Sequence, residues 1–229
     1  MSSWGIVFDL TKDDMEALKE ALNDMKNPVD LLFFTGEFCE TCSTTEKILH
    51  ALRYASPEIK GQKLIKIHTF NSKNDKELFR KYRVYRVPSV LLLDGVIRYT
   101  GTPAGEEIKS IVETIIRISI GESGLSNITK KKISHITKPI YIEVIVTPQC
   151  PYCPYAALLS NMFAFESYKS GNKAIISDII EAYENTDIAD KYGVMTVPVI
   201  VINGRPEFIG VPYEDQLLKA IIDASHRAK

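Results

Sequence analysis

The sequence contains a long internal repeat, which limits the fold more than any other feature of the chain. The motif CETC at residues 39–42 recurs as CPYC at residues 150–153, an offset of 111 residues. The segment KYRVYRVPSVLLLDG, from residue 81, resembles KYGVMTVPVIVING, from residue 191. Solenoid repeats have periods of about 20 to 50 residues. The longer period in a chain of 229 residues therefore predicts a duplicated domain.

The two copies are expected to meet near residues 119–122, where one predicted helix ends and the next begins. This boundary divides the chain into an N-terminal domain of residues 1–119 and a C-terminal domain of residues 120–229. Both lengths fall within the usual size range of an independently folding domain.

Each copy shows the same order of predicted elements. A continuous apolar run, LLFFT or IYIEVIVT, predicts a buried central strand, and the cysteine motif follows it directly. A helix, a strand and a short helix come next, then Val-Pro, a hairpin turned by Asp-Gly or Asn-Gly, and a terminal helix. Residues 11–14 (TKDD) form a capping-box-like start to the first helix. Its counterpart, from Ser123, has apolar residues predicted on one face: Leu125, Ile128, Ile133 and Ile136.

The cysteines stand where a strand ends and a helix begins. There, free backbone amides and the helix dipole stabilise an anion, which lowers the pKa of a thiol. A second cysteine three positions later lies one helical turn on, close enough to form a disulfide. We therefore predict Cys39 and Cys150 as exposed nucleophiles, and Cys42 and Cys153 as less exposed resolving thiols.

A Val-Pro pair follows each cysteine motif by nearly the same interval. Pro88 and Pro198 lie 49 and 48 residues beyond Cys39 and Cys150. An isolated Val-Pro is most often an ordinary trans peptide at an edge strand. Beside a CxxC motif, however, the pair resembles the Val-Pro of thioredoxin-like proteins, in which the proline is cis. The resemblance implies that both Val-Pro pairs are cis and present backbone to an extended substrate. Tyr82, Tyr85 and Tyr192 precede these pairs, and core packing is the role we expect for them.

Composition and charge exclude several classes of protein. The formal net charge of −1 gives no general attraction to nucleic acid or to anionic lipid. The N-terminal residues lack a signal-peptide pattern, and no apolar run reaches the ~20 residues of a membrane span. We therefore expect a cytoplasmic protein, without nucleic-acid or membrane partners. Cysteines in a cytoplasmic protein are typically catalytic or metal-binding, although hyperthermophiles also form structural disulfides there.

Taken together, the duplicated unit, TPQCPYCPYA and ADKYGVMTVPVIVING resemble the protein disulfide oxidoreductases of hyperthermophilic archaea and bacteria. The likeness covers essentially the whole chain. It implies an α/β fold of two tandem thioredoxin-like domains, each a central mixed β-sheet flanked by helices. It also implies thiol–disulfide exchange on cytosolic proteins, by oxidation, reduction or isomerisation.

The resemblance also implies roles for individual residues. Cys150 and Cys153 would form the principal redox site and Cys39 and Cys42 a second one. Substrate would be bound by residues beside these sites: Val87, Pro88, Pro151, Tyr152, Val197 and Pro198. The redox-active disulfides Cys39–Cys42 and Cys150–Cys153 would serve without a further cofactor or metal. The implied partners are protein thiols and disulfides and a flavoprotein that resembles thioredoxin reductase.

The sequence departs from thioredoxins at two functional positions. Phe38 and Gln149 replace the tryptophan that usually precedes the first cysteine. Phe33 and Val144 replace the buried aspartate six positions before that cysteine. Glu143 is one residue away from that position and should point to the other face of its strand. It is interpreted either as a proton shuttle or as a partly solvated carboxylate.

The two motifs predict different redox properties. Glu37 and Glu40 flank the first pair, and negative neighbours disfavour a thiolate. The second motif has no acid, and Pro151 restricts its backbone. A stabilised thiolate makes the corresponding disulfide more oxidising. We therefore expect Cys150–Cys153 to be more oxidising than Cys39–Cys42, unless solvent screens the two glutamates.

Four other interpretations remain open from the sequence. Paired CxxC motifs can hold zinc, but such pairs are usually separated by about 15 to 20 residues, and 107 residues intervene here. CPYC also occurs in glutaredoxins, so glutathione-linked disulfide reduction is one alternative activity. The tandem unit further resembles the electron-relay module of peroxide-system reductases. A redox-inactive binding or chaperone module is the fourth interpretation, although the retention of four cysteines argues against it.

Overall fold

The structure is a computed structural model and describes residues 11–227. The first unit contains the following elements: α1 (Lys12–Leu22), β1 (Val29–Thr35), α2 (Cys42–Ala55), β2 (Glu58–Ile59), β3 (Gln62–Lys63), β4 (Ile65–Asn71), α3 (Lys76–Tyr82), β5 (Ser89–Leu92), β6 (Ile97–Thr100) and α4 (Glu107–Ile120). The second unit contains these: α5 (Asn127–Ile133), β7 (Ile140–Val146), α6 (Cys153–Lys169), β8 (Ile175–Glu181), α7 (Thr186–Lys191), β9 (Val199–Ile202), β10 (Arg205–Ile209) and α8 (Glu214–Arg227).

Both units have the same strand topology. The central strand, β1 or β7, runs parallel to β4 or β8 and antiparallel to β5 or β9. A hairpin then adds β6 or β10 at the edge. Asp94 and Asn203 lie in the hairpin turns with positive φ values of 56° and 49°, a conformation that such turns require. Each unit is therefore a mixed sheet flanked by helices, which confirms the predicted fold class.

The two sheets are joined into one sheet of eight strands. Its order is β10-β9-β7-β8-β6-β5-β1-β4. β6, the edge of the first unit, pairs in parallel with β8, the edge of the second, from Ile97 opposite Ser177 to Thr100 opposite Ile180. This pairing has no counterpart in the expectations from the sequence. It removes one exposed edge from each unit and fixes the two units relative to each other.

The largest hydrophobic cluster lies on one face of this sheet and includes residues of both units. Leu31 and Phe33 of β1 belong to it, as do Ile142 and Val144 of β7. The intervening residues of the strands face two smaller clusters on the opposite side. This alternation follows from the period of two in a strand.

A buried network of polar side chains crosses the junction beside the core. The hydroxyl of Tyr99, on β6, lies 3.3 Å from Ser110 and Thr114 of α4 and accepts a bond of 2.9 Å from Asn161 on α6. Asn161 in turn accepts a bond of 2.8 Å from Ser177 on β8. Because buried polar groups need partners, these contacts favour a joined arrangement of the units.

The ends of two helices test the local predictions. Thr11 and Asp14 form the predicted capping box. The helix predicted from Ser123 instead begins at Asn127, because Ser126 caps it with its hydroxyl. Ile128 is consequently 70% exposed, and its predicted place on the buried face is wrong. The boundary between residues 119 and 120 stays a prediction; it falls in the last turn of α4, which ends at Ile120.

Within residues 11–227, none of the helices has the length and the apolar character needed to cross a bilayer.

Candidate active sites

The first site lies between the end of β1 and the start of α2. Cys39 and Cys42 form a disulfide, with their Cα atoms 5.4 Å apart. Cys42 begins the helix and is 5% exposed, whereas Cys39 is half-buried on the loop before it. The first cysteine of the pair is thus the one that an incoming sulfur can reach more easily.

The second site occupies the equivalent place between β7 and α6. Cys150 and Cys153 form a disulfide, also with their Cα atoms 5.4 Å apart. Cys153 is fully buried, and Cys150 is only 8% exposed, because both pack in the large core cluster. The predicted exposure of Cys150 is therefore wrong, although Cys150 is still the more exposed cysteine of the pair. The backbone N–H of Cys153 donates to Cys150 Sγ over 3.1 Å. An amide that points at the sulfur from the helix N-terminus would stabilise a Cys150 thiolate.

A Val-Pro segment accompanies each site. The peptide bonds Val87–Pro88 and Val197–Pro198 are both cis. Each proline is buried, while each valine is half-buried and packs against the core cluster that contains the cysteines. At Gly36, three positions before Cys39, an added Cβ would lie 3.1 Å from Val87 Cγ2. This contact places Val87 directly beside the loop that carries the first cysteine pair.

Several large side chains near the sites are exposed. In the second motif Pro151 is exposed and Tyr152 is 66% exposed. Phe38, next to Cys39, is 99% exposed, and Tyr85 and Met195, each two residues before a Val-Pro pair, are 87% and 95% exposed. The expected core role of Tyr85 is therefore wrong. No role was expected for Phe38 or Met195 from the sequence, although the repeat aligns Met195 with Tyr85.

The other two tyrosines before the Val-Pro pairs do pack in the interior. The Tyr82 ring lies 5.8 Å from the Phe34 ring, and half-buried Tyr192 packs against the smaller cluster on the α7 side of the sheet.

Glu143 lies on the opposite face of the sheet from the cysteines. Its neighbours Ile142 and Val144 belong to the cluster that contains Cys150 and Cys153, whereas Glu143 accepts a bond of 2.6 Å from the Tyr192 hydroxyl. Burial raises the pKa of the Glu143 carboxyl, and this hydrogen bond opposes the shift. Its position fits a mostly buried structural carboxylate and does not support the proton-shuttle interpretation.

Charged groups surround the first site in a way that the sequence predicts only in part. Glu37 forms an ion pair of 2.9 Å with Lys73, which offsets its negative charge. Glu40 is exposed on the loop. A third carboxylate, Glu184 of the second unit, accepts a bond of 2.6 Å from the hydroxyl of Thr41, inside the CETC motif. Because 143 residues separate Thr41 from Glu184, local sequence patterns give no sign of this contact.

Comparison with known proteins gives the same assignment as the site geometry. The family described as Thioredoxin domain matches residues 29–113 and again residues 140–222. The chain therefore belongs to the thioredoxin family, with two thioredoxin domains in tandem.

Three relatives illustrate this membership. A protein disulfide oxidoreductase from Aeropyrum pernix, known from a crystal structure, is 46% identical in sequence to this chain. The structural match covers 96% of each chain and has a TM-score of 0.94. A thioredoxin from Methanocaldococcus jannaschii is 40% identical over 82 residues, 36% of this chain and 92% of its own. A domain of alkylhydroperoxide reductase AhpF from Enterococcus faecalis has a TM-score of 0.80 at 19% identity, covering 93% of this chain and 100% of its own, and shows the shared fold alone.

These findings confirm the predicted likeness to protein disulfide oxidoreductases and the predicted class of enzyme, a dithiol–disulfide oxidoreductase. The roles of individual residues stay predictions.

Proposed function

We propose that the chain catalyses thiol–disulfide exchange on protein substrates, with Cys39 and Cys150 as attacking sulfurs and Cys42 and Cys153 as resolving sulfurs. The arrangement of the second site is the main support for this proposal. The backbone N–H of Cys153 donates a hydrogen bond to Cys150 Sγ, while the Cys153 side chain is fully buried. This combination suits one thiolate that meets substrate and one that acts only afterwards.

In the reductive direction the Cys150 thiolate attacks one sulfur of a substrate disulfide. A mixed disulfide forms, and the other substrate sulfur leaves as a thiolate. Cys153 then loses its proton and attacks Cys150 Sγ, which releases the second substrate sulfur and closes the Cys150–Cys153 disulfide. Two electrons pass from the protein to the substrate, and the reverse sequence oxidises a substrate dithiol.

Substrate would bind along the Val-Pro segments as an extended chain. Val87 and Val197 are half-buried beside the core cluster that contains the cysteines, and their prolines are buried behind them. Extended peptides commonly pair with exposed backbone, which favours Val87, Pro88, Val197 and Pro198 as the binding segments. The exposed side chains of Pro151 and Tyr152 would contact the substrate at the second site.

The proposed partners are protein thiols and disulfides. In this proposal the two cysteine pairs act without a further cofactor, and a flavoprotein resembling thioredoxin reductase returns electrons to them. We also propose a cytoplasmic location. The sequence resemblance supports both the reductase and the location. Isolation of the reductase from the source organism would test the proposed partner.

Trapping of mixed disulfides tests the assigned order of the cysteines. A Cys153→Ser variant should accumulate covalent adducts with partner proteins at Cys150, because the sulfur that would release them is absent. Non-reducing electrophoresis followed by peptide mass analysis would identify the linked cysteine. The first site can be tested in the same way with Cys42→Ser and adducts at Cys39.

The matched controls are Cys150→Ser and Cys39→Ser, which should accumulate few adducts. Abundant adducts in these controls, with none in the resolving-cysteine variants, would show that the assigned order is wrong.

A further inference from the structure

The hydroxyl of Thr41 is directed at the other unit of the chain. Thr41 is the residue before α2, yet its side chain makes no capping bond to that helix. Its hydroxyl donates to Glu184 Oε2 over 2.6 Å, and the backbone N–H of Thr102 donates to Glu184 Oε1 over 2.8 Å. Both oxygens of one carboxylate in the second unit are thus bound by the first unit, beside Cys42.

Glu184 is held in this place by the loop after β8. The carboxylate of Glu181 accepts the backbone N–H groups of Tyr183, over 3.1 Å, and of Glu184, over 2.7 Å. Asn185 donates to the carbonyl oxygens of Thr100, over 3.3 Å, and of Glu181, over 2.9 Å. The loop is therefore tied both to itself and to the end of β6 in the first unit.

The joined sheet explains why the first site receives this carboxylate. The β6–β8 pair places the end of β8 next to the end of β6, and Thr102, whose amide binds Glu184, is the second residue after β6. In the second motif, Tyr152 stands in the place of Thr41, and its side chain is 66% exposed. The duplication is therefore symmetric in sequence but not in the surroundings of the two cysteine pairs.

We propose that Glu184 tunes the first site by opposing formation of the Cys39 thiolate, so that the Cys39–Cys42 disulfide is a weaker oxidant. The amides at the start of α2 would stabilise a thiolate there, and a carboxylate held at the same helix end acts against them. Lys73 offsets the charge of Glu37, and burial raises the pKa of the Glu181 carboxyl, behind Glu184, to about 7. Glu40 and Glu184 are the other acidic groups identified around the motif. In this proposal Glu184 acts through the charge balance of the site, as a positioning residue.

The inference rests on the proposed redox activity of Cys39 and Cys42. In the equilibrium concerned, two glutathione thiols reduce the Cys39–Cys42 disulfide to two cysteine thiols and become glutathione disulfide, so that two electrons and two protons are transferred. Partial ionisation of Cys39 favours the reduced protein, and the charge on Glu184 reduces that ionisation.

The test compares Glu184→Gln with the parent protein in a Cys150→Ser/Cys153→Ser background, where only the first pair can react. Equilibration with reduced and oxidised glutathione measures the exchange constant, and the pH dependence of alkylation measures the Cys39 pKa. Removal of one nearby charge should shift the constant toward the reduced protein about three- to ten-fold and lower the pKa of Cys39. An unchanged constant and pKa would overturn the proposal.

Two controls separate charge from structure. Glu184→Gln in the Cys39→Ser/Cys42→Ser background should leave the constant of the second pair unchanged; an equal shift there would show a general structural effect and contradict the proposal. Thr41→Val removes the hydrogen bond but keeps the charge, so it should not shift the first pair toward reduction. A shift equal to that of Glu184→Gln would also overturn the assignment. If the first pair fails to exchange with glutathione at all, the proposed function of that site fails as well.

Discussion

Glu107 is a residue whose environment conflicts with its charge. It lies in the first turn of α4 and is 1% exposed. The hydroxyl of Ser110 donates to Glu107 Oε2 over 2.8 Å, whereas Glu107 Oε1 has no hydrogen-bond partner among residues 11–227. Burial raises the pKa of this carboxyl to about 7, and the Ser110 bond opposes the shift. Glu107 should therefore be protonated in the folded protein under mildly acidic conditions.

This shift predicts how Glu107→Gln changes the pH dependence of stability. The folded-state pKa of about 7 is above the ordinary value of 4.5. The native carboxyl thus contributes stability that is complete below pH 4.5 and lost as the pH rises to 7. Glutamine does not titrate, so its contribution does not change with pH. As the pH rises from 4.5 to 8, the free energy of unfolding of the variant should therefore increase by up to about 3 kcal/mol relative to that of the parent protein. Urea unfolding at several pH values measures the difference.

Glu122→Gln provides the control because Glu122 is exposed and its pKa is lowered by a hydrogen bond from Lys130. A group with a lowered pKa loses its contribution to stability only as the pH falls through that pKa. The difference in unfolding free energy between Glu122→Gln and the parent protein should therefore be constant between pH 5 and pH 8. A constant difference for Glu107→Gln as well would show that the native carboxyl is not protonated on folding.

At the scale of helices and strands, the segment before α4 connects the first unit to the second site. The backbone N–H of Glu106 donates to the carbonyl oxygen of Pro148 over 2.8 Å. Pro148 lies two residues before Cys150. Gly105 has a φ value of +60°, and an added Cβ would lie only 2.3 Å from that oxygen. Only glycine fits here without a shift of the loop.

Gly105→Ala should therefore destabilise the protein and disturb the second site. We expect a loss of about 3 kcal/mol, from the left-handed backbone conformation and the clash with Pro148 together. Gly121→Ala is the matched control, because Gly121 has a φ value of +87° but an added Cβ would meet no described residue within 4 Å beyond its chain neighbours. This variant should lose only about 1 kcal/mol of unfolding free energy. Chemical unfolding gives both values; equal losses would show that the loop moves away from the new methyl group at little cost.

The elements themselves could be predicted from the sequence because their signals are local. The apolar runs of β1 and β7, the capping box at Thr11 and the hairpin turns each involve a few adjacent residues. The two cysteine motifs were found in the same way, since their chemistry depends on a spacing of three. The error at Ile128 arose because apolar spacing alone does not show that Ser126 caps the helix three residues later than expected.

At the scale of the whole molecule, the sequence could not predict the pairing of β6 with β8. Any edge strand offers free N–H and C=O groups, so the choice of partner depends on the shape and packing of complete units. Asp178, for example, lies opposite Arg98 in this pairing and accepts a hydrogen bond of 2.8 Å from the Thr100 hydroxyl. Because 78 residues separate Thr100 from Asp178, local sequence patterns do not reveal the contact. The contact between Glu184 and Thr41 depends on the same junction and was missed for the same reason.

The joined sheet and the shared core predict that both units unfold in one transition. Leu31 of the first unit and Ile142 of the second are fully buried members of the same hydrophobic cluster. Replacing either residue with alanine should reduce the free energy of unfolding by about 2 to 5 kcal/mol. The midpoint of the whole thermal transition should fall by about 5 to 15 °C. Calorimetry measures this, with one peak and equal calorimetric and van't Hoff enthalpies expected in each variant. Two peaks, of which Leu31→Ala moves one and Ile142→Ala the other, would show that the junction does not couple the units.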